Sequence, residues 1–176
     1  GGPGTGKTTT VVRVLGLLLQ SDPGLRVAVA APTGKAAARL QGSIAERRDE
    51  LDVDAAVKGA LDVSVVTVHR LLGYRPHDES FAHDARNPLP HDVVAVDEAS
   101  MLDLGLAHAL LDALADDARL ILLGDRDQLA SVDAGAVLAD LVAARSTTSD
   151  VRSPGFAAFA AALFDAPVAV DPRANA

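Results

Sequence analysis

Short apolar runs alternate along this chain with longer amphipathic stretches. The runs at 26–32, 92–98 and 118–125 carry apolar residues at consecutive positions, which predicts strands buried on both faces of a sheet. A weaker run at 62–68 predicts a further strand. Strands that alternate with helices form parallel sheets joined by crossover connections. The pattern therefore predicts the α/β class, with a parallel sheet between flanking helices.

Apolar positions at helical spacing predict where the helices lie. We expect helices at 7–20, 34–41, 43–60, 104–115, 134–144 and 157–164. Ser100 and Asp103 have the spacing of a capping box before the helix at 104–115. The polar, Pro-containing stretch 73–92 predicts a loop or hairpin excursion. Because the pattern breaks near Ser146, we expect a folded domain at 1–145 and an irregular tail at 146–176.

Composition narrows the class of protein. With 176 residues, 49% of them hydrophobic, the chain is long enough for one α/β domain with a real core. The absence of Cys excludes disulfides and thiolate metal sites, and no run reaches the ~18 apolar residues of a membrane helix. We therefore expect a cytoplasmic protein. A net charge of −8 argues against a generic basic nucleic-acid binder but is compatible with a local groove that contacts phosphates.

The run GGPGTGKTTT at 1–10 matches the phosphate-binding pattern G-x-x-x-x-G-K-[ST] at every required position. Its glycines let backbone N–H groups turn towards phosphate oxygens, and the following helix adds its positive dipole end. Lys7 is expected to reach the β- and γ-phosphates of ATP, and the Thr8 hydroxyl to bind Mg²⁺. The sequence thus predicts a P-loop NTPase whose nucleotide contacts are Gly2, Gly4, Thr5, Gly6, Lys7, Thr8 and Thr9.

Two carboxylates follow the apolar run VVAV, at the sheet edge where ligands bind in open α/β folds. Asp97 is expected to hold Mg²⁺, and Glu98 to polarise the attacking water. Gln128 follows the last predicted strand, where its amide is expected to contact the γ-phosphate and the water. An acidic helix cap and a loop Gln bonded to backbone are the ordinary alternatives. Lys7, Glu98 and Gln128 are the predicted catalytic residues.

Two further strand ends carry residues suited to a polymer phosphate. In APTGKAAARL, a hydroxyl, backbone N–H groups and one lysine meet at Thr33, Gly34 and Lys35. In VTVHRLLGY, Thr67 and His69 are expected to contact the backbone of a nucleic-acid strand, and Tyr74 to stack on a base. A capped helix start, a packed histidine and a core-edge tyrosine remain the alternatives.

These runs, with NPLPHDVVAVDEASMLDL and ARLILLGDRDQLASVDAGAVLADL, closely resemble the RecD family, the α subunits of exodeoxyribonuclease V, over residues 1–142. The resemblance implies a RecA-like motor domain of a superfamily 1 DNA helicase. Such a motor uses ATP and Mg²⁺ to move 5′ to 3′ on single-stranded DNA beside RecB and RecC in double-strand break repair and recombination. It also implies that Thr33, Lys35, Thr67 and His69 line the DNA path.

The resemblance leaves several alternatives open. Stand-alone RecD-like and relaxase-type helicases share the motif order, although the run QLASVDAGAVL favours the α subunits. A non-hydrolysing nucleotide-binding fragment, or a P-loop ATPase acting on protein or on a small molecule, is also compatible with the motifs. The family's P-loop strand, N-terminal domain and second motor domain have no counterpart that we can assign. We therefore expect a fragment of the first motor domain, marginally stable and weakly active or inactive by itself.

Overall fold

The structure is a computed structural model that describes residues 7–124. All of them belong to the first of two units into which the chain divides, Gly1–Ala139 and Asp140–Ala176. The helices expected at 134–144 and 157–164, and the expected tail at 146–176, lie outside the described residues.

A parallel sheet forms the centre of the described part. Its strands are β1 (Val27–Ala31), β2 (Val65–Thr67), β3 (Val93–Val96) and β4 (Arg119–Leu122). They lie in the order β2-β1-β3-β4, and every pairing is parallel. The predicted α/β class and all four predicted strands are confirmed. Every residue of β3 is buried, because this inner strand is covered on both faces.

One helix precedes β1 and the others lie between the strands, with boundaries that differ in part from the predicted ones. They are α1 (Lys7–Ser21), α2 (Gly34–Glu50), α3 (Ala55–Ala60), α4 (Val68–Leu71) and α5 (Leu104–Asp112). One continuous helix, α2, replaces the end predicted at 41, because Leu40 and Ile44 are buried on the same side across Gly42. The single helix predicted at 43–60 is wrong, since residues 51–54 are not helical and separate α2 from α3. The helix predicted at 104–115 ends at Asp112. No helix within residues 7–124 is long and apolar enough to cross a membrane.

The sheet separates two apolar layers. Val93 and Ala95 of β3 face the layer that contains α1, α2 and α3, whereas Val94 and Val96 face the layer that contains α4 and α5. This alternation follows from the two-residue period of a strand. Helix α1 is fixed in the first layer by Val11, Val12, Leu15 and Leu19, all almost completely buried.

Strand β2 lies at one edge of the described sheet, and the side chain of Gln41 on α2 covers its open side. The Gln41 amide donates to the carbonyl oxygen of Val63 at 3.1 Å and accepts from the N–H of Val65 at 2.7 Å. A neighbouring strand would bond groups of this kind, so a side-chain amide satisfies two polar groups at and just before the start of the edge strand.

A forked ion pair joins the amino ends of β1 and β3. The Arg26 Nη2 and Nε atoms donate to the two carboxylate oxygens of Asp92 at 2.6 and 3.0 Å, and the Arg26 backbone N–H donates to Asp92 Oδ2 at 2.7 Å. The backbone N–H of Asp92 donates in turn to the Arg26 carbonyl at 2.9 Å. The hydrogen bonds from the Arg26 side chain, then those from its backbone, lower the pKa of Asp92 below its usual range.

The substitution Asp92→Asn should therefore make folding less sensitive to acid. A depressed carboxyl pKa stabilises the fold above the pKa of the unfolded chain, about 4, and this contribution is lost as pH falls. We expect Asp92→Asn to lower Tm at pH 7 and to flatten the fall of Tm below pH 5. Thermal denaturation followed by circular dichroism measures both.

Glu50→Gln provides the matched control for the loss of one carboxylate. Its partner is Arg47 one helical turn away, and both side chains are substantially exposed. Exposed pairs of this kind contribute little to stability. If Tm fell with decreasing pH in Asp92→Asn as steeply as in the wild-type protein, Asp92 would not have the lowered pKa that we assign to it.

Candidate nucleotide and DNA site

The polar residues singled out by sequence gather at one edge of the sheet. Residues 33–35 follow β1, residues 67–69 follow β2, and Asp97-Glu98 follow β3. Because all strands are parallel, their carboxyl ends meet at the same edge. The predicted DNA segments lie after the neighbouring strands β2 and β1, and the predicted Mg²⁺ and water residues follow β3.

Strand β3 ends in a backbone distortion at Glu98. Asp97 donates its N–H to Ala30 of β1 at 3.0 Å, and Ala99 donates its N–H to Leu123, just beyond β4, at 2.7 Å. Glu98 lies between these two anchors with φ 53° and ψ 36°, in the left-handed region. A non-glycine residue there is strained, and such strain persists only where the surroundings impose it. Here, backbone hydrogen bonds to both sides impose it.

The carboxyl groups of Asp97 and Glu98 are positioned differently. Asp97 Oδ1 accepts the backbone N–H of Glu98 at 2.9 Å, which fixes the Asp97 side chain. Glu98 Oε2 is buried and has no hydrogen-bond partner among residues 7–124. A buried carboxylate oxygen is costly without a partner, so this atom marks a place where a polar group from outside the described residues would be accepted.

The capping box predicted from Ser100 and Asp103 is wrong. Asp103 itself is the N-cap of α5, and its Oδ1 accepts the N–H of Leu106 at 2.7 Å. Ser100 lies in a one-turn 3₁₀ helix at Ala99–Met101, and its buried hydroxyl oxygen has no partner in the part of the chain that the structure describes. Two side chains close in sequence, Glu98 and Ser100, thus carry polar atoms that the described residues leave unsatisfied after β3.

The donor set at this edge fits a magnesium ion shared with a nucleotide. Within residues 7–124 no three His, Cys, Asp or Glu side chains cluster as metal ligands. Mg²⁺ is usually held by one or two carboxylates together with phosphate oxygens, so a full protein cage is not required. Asp97 has one carboxylate oxygen beyond the bonded Oδ1, and Glu98 offers an unpartnered oxygen. Both are the hard oxygen ligands that this ion prefers.

The predicted P-loop helix begins at Lys7. Thr8 and Thr9 lie in its first turn, where backbone N–H groups lack partners within the helix. This is the arrangement expected where a helix start receives a phosphate. Gly2, Gly4, Thr5 and Gly6, and the predicted catalytic Gln128, lie outside the described residues.

Thr33 and Thr67 both act as helix N-caps. The Thr33 hydroxyl oxygen accepts the N–H of Ala36, and the Thr67 hydroxyl oxygen accepts the N–H of Arg70, each at 3.2 Å. The capped helix start that the sequence left as an alternative at Thr33 therefore occurs there, and Thr67 caps α4 in the same way. Each hydroxyl still has a proton to donate, so capping is compatible with a bond to a phosphate oxygen. Gly34 and Lys35 are exposed in the first turn of α2.

His69 belongs to an aromatic cluster that we define as His69, Tyr74 and Phe81. The His69 and Tyr74 rings meet edge to face with centroids 5.4 Å apart, and Phe81 lies 6.1 Å from His69 and 5.5 Å from Tyr74. Tyr74 remains 39% exposed. Phe81 was missed by sequence reasoning, because it stands alone in a polar stretch and nothing in its spacing marks it.

The excursion predicted at 73–92 carries two members of this cluster, Tyr74 and Phe81. Two isolated antiparallel bridges, Arg75 with Ser80 and Asp84 with Asn87, divide it into tight turns. Ala82 donates its N–H to the carbonyl oxygens of Leu72 and Gly73 at 3.0 and 3.1 Å, which returns the chain to the end of α4. The excursion is thus a folded turn region attached to the His69 segment.

Comparison of the sequence with known proteins identifies a family for this chain. Residues 1–134 match the AAA domain family. The RecBCD enzyme subunit RecD of Mycolicibacterium smegmatis is 54% identical over 148 residues, and that of Haemophilus influenzae is 47% identical over 147. The ATP-dependent RecD2 DNA helicase of Deinococcus radiodurans is 44% identical over 147 residues.

The aligned regions cover 81%, 80% and 84% of this chain, in that order. They cover 26%, 23% and 18% of the relatives, so the chain spans about a quarter or less of their length. The predicted resemblance to RecD proteins is thereby confirmed for the aligned region. By the match over residues 1–134, the chain belongs to the AAA domain family.

Proposed function

We propose that this chain is the nucleotide-binding part of an ATP-dependent DNA helicase motor. The observation that carries the proposal is Glu98, held in a strained backbone after β3 with a buried carboxylate oxygen that no residue within 7–124 bonds. A motor of this kind needs a carboxylate beside the γ-phosphate whose oxygen can accept a proton from water. Membership of the AAA domain family supports ATP as the nucleotide.

Each residue of the nucleotide site has a proposed role. Backbone N–H groups at Gly2, Gly4, Thr5 and Gly6 surround the phosphates, and Lys7 neutralises their charge, with Thr8 and Thr9 at the helix start. Thr8 and Asp97 hold Mg²⁺, which supplies charge neutralisation when bound. Glu98 accepts the proton of the attacking water, and Gln128 orients that water.

The proposed DNA path runs over the ends of β1 and β2. Thr33 and Thr67 each retain a hydroxyl proton for a phosphate oxygen, and Lys35 adds a positive charge on the exposed first turn of α2. His69 contacts the DNA backbone, and Tyr74, partly exposed beside it, offers a ring face to a base.

The wider assignment follows the relatives. We propose a motor domain at 1–145 and a tail at 146–176, in a protein that works on single-stranded DNA beside RecB- and RecC-type subunits. Their name, RecBCD enzyme subunit RecD, supports the multi-subunit role, and a cytoplasmic location follows from it. The activity would then be that of an exodeoxyribonuclease V α subunit in double-strand break repair. A stand-alone helicase is the second candidate, supported by the RecD2 relative.

The decisive experiment measures ATP turnover by the natural full-length protein with and without single-stranded DNA. We expect DNA to stimulate turnover, and Lys7→Ala to abolish it. Lys35→Ala and His69→Ala should weaken DNA binding by about tenfold, because a hydrogen bond to a charged group contributes about 1.5–3 kcal/mol. Basal turnover without DNA should stay close to the wild-type value.

Lys58→Ala is the matched control for the loss of one lysine charge. Lys58 lies on α3, and its ammonium donates to the carbonyl of Asp49 at 3.2 Å, away from the carboxyl ends of the strands. DNA affinity should not change in this variant. If Lys35→Ala and His69→Ala bound DNA like the wild-type protein, the site would belong to an ATPase with another substrate.

A further inference from the structure

Phe81 packs against both rings that we propose for DNA contact, His69 and Tyr74. Its ring centroid lies 6.1 Å from that of His69 and 5.5 Å from that of Tyr74. Both distances fall within the range of about 4.5–7 Å in which aromatic pairs attract each other. Because the His69 and Tyr74 centroids are 5.4 Å apart, each ring of the aromatic cluster contacts the other two. The orientation of each ring is therefore restricted by its two neighbours.

The three rings are anchored in different ways. His69 belongs to helix α4, whose backbone fixes its position, and Tyr74 follows the end of that helix. Phe81 is half-buried and packs against the apolar core of the layer that contains α4 and α5. Since Tyr74 remains exposed, Phe81 links this exposed ring to the core. A side chain in such a place supports a binding residue rather than contacting the ligand itself.

Tyr74 and Phe81 lie opposite each other on two antiparallel segments of the excursion. Arg75 and Ser80, the residues next to them, form the bridge between these segments, and the Arg75 N–H donates to the Ser80 carbonyl oxygen at 2.8 Å. On the other side of the pair, the N–H of Ala82 donates to two carbonyl oxygens at the end of α4. Aromatic side chains directly opposite each other stabilise antiparallel segments. Backbone hydrogen bonds on both sides therefore fix the contact between Tyr74 and Phe81.

The contacts around Tyr74 order its ring before any ligand arrives. A tyrosine that stacks on a base loses side-chain freedom when it binds, and this loss lowers affinity. Here the Tyr74 ring is already held from two sides, by the edge-to-face contact with His69 and by Phe81. The exposed 39% of Tyr74 is available to a ligand. Without the Phe81 ring, the cost of ordering Tyr74 would fall on the binding step.

We propose that Phe81 is a positioning residue of the DNA site, which holds the Tyr74 ring ready to stack on a base. The inference rests on the proposed function, in which His69 and Tyr74 contact DNA. Phe81 contacts no nucleotide and acts only through the rings beside it. An unpaired base offers its face to such a ring, whereas a base inside a duplex is already stacked on both sides. The arrangement therefore favours single-stranded DNA over duplex DNA.

The test measures how tightly the natural full-length protein binds two single strands of equal length, oligothymidylate and an oligomer of abasic sites. Both strands carry the same phosphates, so the ratio of their affinities isolates the contacts to bases. We expect Phe81→Leu, which removes the ring and keeps an apolar side chain, to weaken oligothymidylate binding by about two- to tenfold, the contribution of an aromatic pair. Binding of the abasic strand should stay within about twofold of wild type, because phosphate contacts are unchanged.

Four further variants separate positioning from folding. Phe81→Tyr keeps the ring and should restore the wild-type affinity ratio, and Phe81→Met, which fills the space without a ring, replaces the leucine variant if that variant does not fold. Leu114→Ala removes an apolar contact with the same core after α5 and should leave the ratio unchanged. In a Tyr74→Leu background, loss of the Phe81 ring should have no further effect on the ratio, since the two residues act as one unit.

A wild-type affinity ratio in the ring-less Phe81 variants would overturn the positioning role, and DNA-stimulated ATP turnover in the same preparations would leave the motor function intact. Equal losses of affinity for both strands would also overturn it, because they would show that Phe81 only stabilises the fold. Absence of DNA-stimulated turnover in the wild type, with the base preference still lost in the variants, would support the positioning role and contradict the motor function. Failure of the wild type to bind either strand would overturn both.

Discussion

Replacement of Glu98 by Gln is expected to lower ATP turnover by roughly a thousandfold, the size of a lost general base, while ATP remains bound. Gln has nearly the same shape but accepts protons far more weakly, so the water beside the γ-phosphate is no longer activated. Single-turnover hydrolysis and equilibrium binding of ATP, both with the protein as the cell makes it, separate the two effects. Parallel losses of binding and turnover would assign Glu98 to nucleotide binding instead.

A second prediction at Glu98 concerns the stability of the fold. Glu98 has φ 53°, a conformation that costs a side-chain-bearing residue about 1–2 kcal/mol and glycine almost nothing. We expect Glu98→Gly to raise the free energy of unfolding by about 1 kcal/mol relative to Glu98→Ala, which keeps a Cβ in the strained conformation. Denaturant unfolding of both variants measures this difference. A Glu98→Gly protein less stable than Glu98→Ala would contradict the strain.

Gly73→Ala is expected to destabilise the fold by about 2–4 kcal/mol, the combined cost of a left-handed alanine and an overpacked contact. Gly73 has φ +67°, and a Cβ added there would lie 2.7 Å from the Cβ of Ala82. Ala82 cannot yield freely, because its N–H is bonded to the carbonyls of Leu72 and Gly73. Since Tyr74 and Phe81 flank this contact, DNA affinity should fall as well.

Gly42→Ala is the matched control. Gly42 lies in the middle of α2, and a Cβ added there meets nothing within 4 Å. Alanine in a helix interior is favoured over glycine by roughly 0.5–1 kcal/mol, so this variant should be slightly more stable than wild type. Urea unfolding of the two variants compares them directly. Equal effects of the two substitutions would show that the contact with Ala82 is not restrictive.

The strands were predictable because burial on both faces leaves a direct trace in the sequence. Runs such as VVAV in β3 admit no polar side chain. Helix ends were less predictable. Gly42 resembles a helix end, yet α2 continues through it because Leu40 and Ile44 pack on the same layer. Tertiary burial outweighs the local preference of one glycine.

The candidate site was predictable in position and not in conformation. Asp97 and Glu98 were assigned from the strand that precedes them. The left-handed backbone of Glu98 depends on the hydrogen bonds of its two neighbours. Asp97 donates to Ala30 and Ala99 donates to Leu123, both of which are distant in sequence. Long-range bonds of this kind leave no local pattern. The same holds for Phe81, whose place beside His69 arises from the folded excursion.

The Gln41 side chain has a consequence for the behaviour of the chain in a concentrated solution. Exposed edge strands recruit strands of other molecules and start aggregation. At the start of β2 the Gln41 amide already occupies the carbonyl of Val63 and the N–H of Val65, two groups to which an incoming strand would bond. One glutamine on a neighbouring helix therefore hinders intermolecular strand addition at the start of this edge.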